Sequence, residues 1–478
     1  MKSETKWETV IGLEVHAELS TKSKIFCGCT IEFGGEPNTH VCPVCAGMPG
    51  TLPMLNHTVV EYAVRLGIVL DCTITKNCKF DRKNYFYPDL PKAYQVSQLY
   101  LPICHSGHLD IEVDGQNKTI SIREIHMEED AGKLIHGDNK TFMDFNRCGV
   151  PLLEIVTEPD FRTAGEVIAY LEKLREILLY LGICDCKMQE GSLRVDVNLS
   201  VHRPGEGLGV RTEMKNLNSF KAVGRAIECE RARQIEILEN GGVVVQETRR
   251  FDDDTGESIG MRSKENAQDY RYFPEPDLLP IEIDEDWLLR IKTQIPELAH
   301  QKRARYISNL GISAFEASVL TGHKNISDLY ESVSKKCNNP VEAARLITGE
   351  IMRLMNVTKT LPEDLSIDED KSAVLIRLLA EGKINRAAYK ETVEAVFLHD
   401  VDPKAYIIEK GLLMISDNGA VIEAVKEVVA ANPDAAADYR AGKNQAFGFL
   451  MGKIMGKLGK GGNPQVVKAA LMDFFEKE

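Results

Sequence analysis

The sequence predicts an α+β protein: a largely antiparallel β-sheet domain with flanking helices over residues 1–293, an all-helical domain over 294–406 and a small helical tail domain over 407–478. Three observations lead there. Short runs of alternating polarity recur through the first part, two well-bounded helices interrupt them, and helical periodicity takes over after a proline-bearing stretch at 272–280. At 478 residues the chain is too long for one core, and two to four domains are expected.

Taken in order, Thr9-Val10-Ile11-Gly12-Leu13-Glu14-Val15-His16 alternates as a strand. A first helix is signalled by Thr163 with Glu166 three residues on, the pattern of a capping box, and by a stop at Gly182. Leu193-Arg194-Val195-Asp196-Val197-Asn198-Leu199 is a second clear strand. The next helix, AVGRAIECERARQIEILEN, is laced with opposite charges at helical spacing and ends at Gly241-Gly242. Tyr272-Phe273-Pro274-Glu275-Pro276-Asp277 cannot continue a helix, so a boundary falls near 294. Beyond it VEAARLITGEIMRLM and AAYKETVEAVFLHD are helical, and Asp402-Pro403 marks a second joint.

Hydrophobic content of 43% and charged content of 27% fit a globular protein and speak against disorder. The opening MKSETKWETVIGLEVH has no apolar signal core and no window reaches the length of a spanning helix, so a cytoplasmic protein with no membrane partner is expected. A net charge of −14 argues against a uniformly basic nucleic-acid surface but leaves room for local patches. One such patch is the run Lys443, Lys453, Lys457, Lys460 and Lys468, which no acidic residue interrupts. It suits contact with RNA phosphates, or equally the solvated face of a helix bundle.

Twelve cysteines in a chain of this kind point to metal binding rather than a disulfide framework. Cys27-Gly28-Cys29 and Cys42-Pro43-Val44-Cys45 form two close pairs, the spacing of a knuckle at 27–45 that closes a four-thiolate zinc site. Such a site has no open position, so its role would be structural. Four reduced surface cysteines are the competing reading, and Cys184 with Cys186 is read as packing.

A second constellation is acidic. Glu14 and His16 share one face of their strand. Glu128, Glu129, Glu154, Asp196 and Glu213 follow, each in or beside a strand-like run. Exposed carboxylates usually mean nothing more than solvation. Glu154 and Asp196 are different, because they interrupt apolar runs where an unpaired carboxylate is costly. Carboxylates with one imidazole suit a hard divalent cation such as magnesium, and that cation suits phosphoryl transfer. No Walker motif or dinucleotide fingerprint occurs. The segment from Phe80 to Gln95, with Arg82, Lys83, Tyr85, Tyr87 and Lys92, mixes cations and aromatics as nucleic-acid loops do, or packs its rings on the core.

Together the strings IGLEVHAEL (11–19), KFDRKNYFYPDLPKAYQVSQ (79–98), HMEEDAGK (126–133), PLLEIVTEPD (151–160), EGSLRVDVNLS (190–200), EMKNLNSF (213–220), ETRRFD (247–252) and DYRYFPEPDLLP (269–280) resemble the GatB/GatE family, the B subunits of aspartyl/glutamyl-tRNA amidotransferases. The resemblance is dense over the first domain and looser beyond it, and the absence of a large inserted domain favours GatB over the archaeal GatE. It implies a heterotrimer with an amidase subunit (GatA) and a small subunit (GatC), and a first domain that is catalytic and binds the tRNA acceptor end. ATP and Mg2+ would phosphorylate the side-chain carboxylate of Glu on tRNA(Gln) or Asp on tRNA(Asn), and channelled ammonia would displace the phosphate. A non-discriminating synthetase would supply the misacylated tRNA.

Residue by residue, the resemblance implies His16, Glu129 and Glu154 as ligands of the catalytic magnesium. Glu14, Glu128, Asp196 and Glu213 become a neighbouring metal position or its supports. Lys83 and Lys92 would contact phosphate or gate the ammonia path, with Lys92 able to pair with Glu129. Cys27, Cys29, Cys42 and Cys45 would hold a structural Zn2+. Arg82, Tyr85, Tyr87, Lys443, Lys453 and Lys457 would touch the tRNA.

Overall fold

The computed structural model describes residues 6–477 apart from 254, 264–268, 415–417 and 460–461, so Lys460 lies outside the described residues. The chain divides into two compact units, Met1–Leu298 and Ala299–Glu478.

Unit one is built on a nine-stranded sheet. Its strands run, edge to edge, Glu257–Ser263, Glu247–Asp252, Thr212–Lys215, Leu193–His202, Glu8–Glu18, Pro151–Thr157, Gln116–Glu129, Cys104–Val113 and Thr73–Ile74. All neighbours pair antiparallel except Thr212–Lys215 with Glu247–Asp252. Alternation along Glu8–Glu18 assigns the two faces. Ile11, Leu13, Val15 and Ala17 are buried, whereas Glu14, His16 and Glu18 are only half-buried. Helices His57–Val69, Ala164–Leu181 and Phe220–Glu239 pack on the sheet, leaving the face with Glu14 and His16 for other work.

Both predicted helices form. Thr163 caps the first by accepting from the Glu166 N–H, and Gly182 ends it at φ 67°, a left-handed conformation in which glycine is unstrained. The capping box is displaced by one residue: the Glu166 carboxylate accepts from the Arg162 N–H, 2.6 Å, rather than from Thr163. Phe220–Glu239 is capped by Ser219 and anchored to the sheet through Glu230. That fully buried carboxylate accepts from Thr212 Oγ1, Gln234 Nε2 and the Arg233 guanidinium at 2.7–2.9 Å. Burial opposes its ionisation, but Arg233 and the other donors outweigh burial and hold its pKa below the usual value.

Unit two is helical and contains two separate cores. One gathers Tyr306, Tyr330, Ile347, Ile376 and Tyr389 with Ile407 and Leu412; the other gathers Val421, Val425, Leu450, Ile454, Val467 and Leu471. The division falls between Leu412 and Val421, later than the expected 406/407. Asp402 caps a helix that begins with Pro403 and buries Ile407 in the first core, so Asp402-Pro403 is a helix start rather than a joint. No helix among the described residues is long and apolar enough to cross a membrane.

Candidate active site

Sheet register gathers the acidic residues. Across the open face His16 stands opposite Glu154 on one side and Arg194 on the other; Glu14 stands opposite Val156 and Asp196. Glu154 in turn faces His126, and Glu213 faces Asn198. Residues far apart in sequence therefore reach one face because five strands align their alternation.

They line a cavity of about 650 Å³ that holds six carboxylates, Glu14, Glu128, Asp130, Glu154, Asp196 and Glu213, against Lys83, Arg194 and Lys215. Two groups are tight enough for a cation: His16, Glu128 and Glu154, and Glu14, Asp196 and Glu213, each with ligand atoms within 4.8 Å of one another. Burial and the neighbouring Glu154 push the Glu128 carboxyl up, although Lys83 and His16 pull against them. Burial, then Glu154 and Asp196, raise Glu14 as well. A bound cation would relieve this crowding of like charge, and a carboxylate-rich donor set is what a hard divalent cation takes. The first group fits magnesium directly. In the second, the Lys215 ammonium already pairs with Asp196 and, at 3.0 Å, with Glu213, so a metal there would have to displace it.

Expectation and structure part at Glu129. Alternation on Gln116–Glu129 turns Glu128 towards His16 and Glu154 and carries Glu129 to the opposite side, so Glu128 takes the position assigned to Glu129. Glu129 instead pairs with Lys92 and accepts from the Val96 N–H, 2.9 Å, in a separate cavity of about 100 Å³ beside the cysteines. Gly47 shapes that spot: at φ 66° a Cβ would fall 2.3 Å from Lys92 Cγ, so only glycine lets this loop lie against the lysine.

Lys83 lies in the large cavity, where burial works against its charge but Glu128 and other anionic groups prevail and raise its pKa. Tyr85 lines the same cavity and meets Tyr270 edge-on at 5.9 Å. Tyr87 is half-exposed on the loop beyond. Arg82 is committed elsewhere, forked onto Glu275 at 2.7 and 2.8 Å and seated over the Tyr94 ring, which leaves little of it for a tRNA. In the tail, Lys443 pairs with Asp438, Lys457 pairs with Glu427, and Lys453 lies over the Phe449 ring. Two of these three lysines have their charge answered within the protein, because acidic residues of neighbouring helices fall beside a run that is purely basic in sequence.

Two cavity cations escaped the sequence reading. Arg194 joins Asp130 at 2.7 Å, and Asp130 also meets Glu18 and Arg147. Burial and Asp130 push Glu18 up to about 9, whereas Arg194 and Arg147 overcome burial to hold Asp130 down at about 2. Arg194 is thus fixed from behind and presented to the cavity. The available signal was its place two residues before Asp196 on an alternating strand; Lys215 likewise stands two residues after Glu213.

The four cysteines converge. Cys42 and Cys45 sulfurs are 3.9 Å apart, close to the edge of about 3.8 Å that tetrahedral zinc with Zn–S bonds of ~2.3 Å requires. The buried Lys24 ammonium lies 3.7 Å from the Cys45 sulfur and donates to the His40 carbonyl at 2.7 Å, adding positive charge beside the thiolates. Residues and spacing therefore fit a structural zinc.

Comparison with known proteins agrees over the whole chain. Residues 9–289 match the family profile described as the GatB/GatE catalytic domain, and residues 328–474 the one described as the GatB domain. A protein of Lachnoclostridium phytofermentans, named as the B subunit of aspartyl/glutamyl-tRNA(Asn/Gln) amidotransferase, is 57% identical over 474 residues, 98% of this chain and 99% of that one. One of the same name from Caldicellulosiruptor bescii is 54% identical over 479 residues, covering 99% and 100%. Another, from Carboxydothermus hydrogenoformans, is 48% identical over 478 residues, covering 99% of each.

Proposed function

The chain belongs to the GatB/GatE family of tRNA-dependent amidotransferase B subunits, and from that premise we propose that its sheet domain phosphorylates the side-chain carboxylate of Glu-tRNA(Gln), Asp-tRNA(Asn) or both. Ammonia from an amidase subunit then replaces the phosphate. The observation that carries this reading is the pair of carboxylate groups on one sheet face, with Lys83, Arg194 and Lys215 lining the same cavity.

A carboxylate resists amidation because its leaving group would be oxide. Attack of a carboxylate oxygen on the γ-phosphorus of ATP breaks the bond to ADP and gives an acyl phosphate; ammonia then attacks the carboxyl carbon, phosphate leaves, and the nitrogen sheds its proton. Magnesium, when bound, supplies charge neutralisation at the transferring phosphoryl group. His16, Glu128 and Glu154 would hold it. Lys83 places a fixed cation beside the same group, and Arg194, held by Asp130, offers its remaining N–H donors to anionic oxygens. Lys92 and Glu129, paired away from this cavity, would conduct or gate ammonia on its way in.

The assembly would be a cytoplasmic heterotrimer with an amidase and a small subunit, served by a non-discriminating synthetase. Supplied with γ-labelled ATP and misacylated tRNA but no glutamine, it should transfer label to the tRNA; amidation without any such transfer would overturn the proposal.

Zinc would hold the knuckle at 27–45 in shape and, through Gly47, support Lys92. Protein purified without chelator should contain about one zinc per chain, and Cys42→Ser should destabilise the sheet domain by on the order of 3 kcal/mol, because metal affinity feeds into folding. Metal analysis and denaturant titration check this, and a zinc-free, equally stable wild type would refute it.

A further inference from the structure

Two lysines are buried among the described residues, Lys24 and Lys302. The Lys302 ammonium is answered in the ordinary way, by Glu331 at 3.0 Å and Asp328 at 3.4 Å. Lys24 is buried completely and pairs with no carboxylate. Its Nζ donates to the His40 carbonyl at 2.7 Å and lies 3.7 Å from the Cys45 sulfur.

An ammonium withdrawn from water requires an anion beside it, because a neutral carbonyl does not return what desolvation costs. The cysteine knuckle can supply one. Four thiolates around one Zn2+ leave the centre doubly negative, whereas four protonated thiols leave it neutral and Lys24 unanswered. Burial of this lysine therefore favours the metal-loaded centre over four reduced cysteines.

Lys24 is also held along its length. Its backbone N–H donates to the Cys29 carbonyl, inside the knuckle, and the next N–H, that of Ile25, donates to the Gly149 carbonyl, both at 2.9 Å. Gly149 turns at φ 80°, in the left-handed region, and passes over the lysine stem, where a Cβ would lie 3.6 Å from both Lys24 Cδ and Cys45 Cβ. Its own N–H donates to the Asp130 carbonyl at 3.0 Å. Lys24 thus stands at the seam between the knuckle and the loop 145–150, and it lines the cavity that holds Lys92 and Glu129.

We propose that Lys24 is the internal counter-cation of the zinc–thiolate centre, quieting the Cys45 thiolate and making closure of the knuckle against the loop 145–150 depend on the negative charge of the loaded metal. This role rests on the zinc reading above and adds the residue that ties the metal to the sheet domain. A sulfur that shares its charge with an ammonium is a weaker nucleophile and a weaker electron donor to its metal. Loss of the cation should therefore be visible at the sulfur itself.

Cobalt substitution of the assembled complex reads this directly. Lys24→Met should keep the metal, move the sulfur-to-cobalt charge-transfer band to lower energy and speed alkylation of Cys45 by N-ethylmaleimide about tenfold. Lys24→Arg, which keeps the charge, should leave the band in place. A band and a rate unchanged in Lys24→Met overturn the role, and so does a band displaced equally in both variants, which would make packing rather than charge the cause. A second measurement needs no variant: stripping the metal from wild type with a chelator should open segments 22–30 and 145–150 to hydrogen exchange while Leu193–His202 stays protected. Protection of 145–150 that survives metal removal overturns the role as well. Wild type without zinc removes the zinc reading and this role with it; zinc-loaded wild type matched by Lys24→Met removes this role alone.

Discussion

Glu154→Gln should lower phosphoryl transfer to misacylated tRNA by about 10³-fold while leaving tRNA affinity unchanged, because it removes one charge from the centre of the metal-ready group and alters no shape. Glu154 stands opposite His16 and His126 and lies within the same 4.8 Å group as Glu128. Its amide counterpart would still fill the strand position, so the sheet should survive. The loss would then be chemical, and single-turnover transfer measured beside tRNA binding separates the two. Amidation persisting in Glu154→Gln would make the acidic face a scaffold and send the search for the reaction elsewhere.

Lys92→Met should produce the complementary defect: glutamine-dependent amidation reduced about 10²-fold with phosphoryl transfer retained. Lys92 is half-buried against Glu129, near the Phe26 and Tyr94 rings, in the cavity by the cysteines rather than in the acidic one. Replacing it would leave the Glu129 carboxylate without its cation in a narrow space between knuckle and sheet, which would disturb the proposed ammonia path more than the proposed chemistry in the acidic cavity. Comparing label transfer with amide formation in one preparation checks the split. Equal loss of both would place Lys92 in the phosphorylation site after all.

What the sequence made legible follows from local rules. Alternation in Thr9–His16 and Leu193–Leu199 foretold the two central strands, and Thr163, Gly182 and Gly241 foretold helix ends, because capping and left-handed turns act within a few residues. Cys27, Cys29, Cys42 and Cys45 were legible for the same reason: two short pairs and one loop define the group. Glu14 with His16 was readable from a two-residue period alone.

Features that depend on strand register were not legible. Whether Glu128 or Glu129 faces His16 is decided by how Gln116–Glu129 pairs with Pro151–Thr157, and a one-residue choice reverses the answer. Arg82 looked available because its acidic partners, Glu275 and Asp277, come from nearly two hundred residues later. The charges of Lys443 and Lys457 were misjudged in the same way, since Asp438 and Glu427 precede the basic run and meet it only through helix packing.

The central claim is that one sheet face, and Glu128 rather than Glu129, carries the phosphorylation chemistry. Its most direct test is transfer of γ-labelled phosphate to misacylated tRNA by the assembled complex without glutamine, comparing Glu128→Gln and Glu129→Gln with wild type. The account predicts that label transfer disappears in Glu128→Gln and continues in Glu129→Gln; transfer that survives in Glu128→Gln and disappears in Glu129→Gln would contradict it.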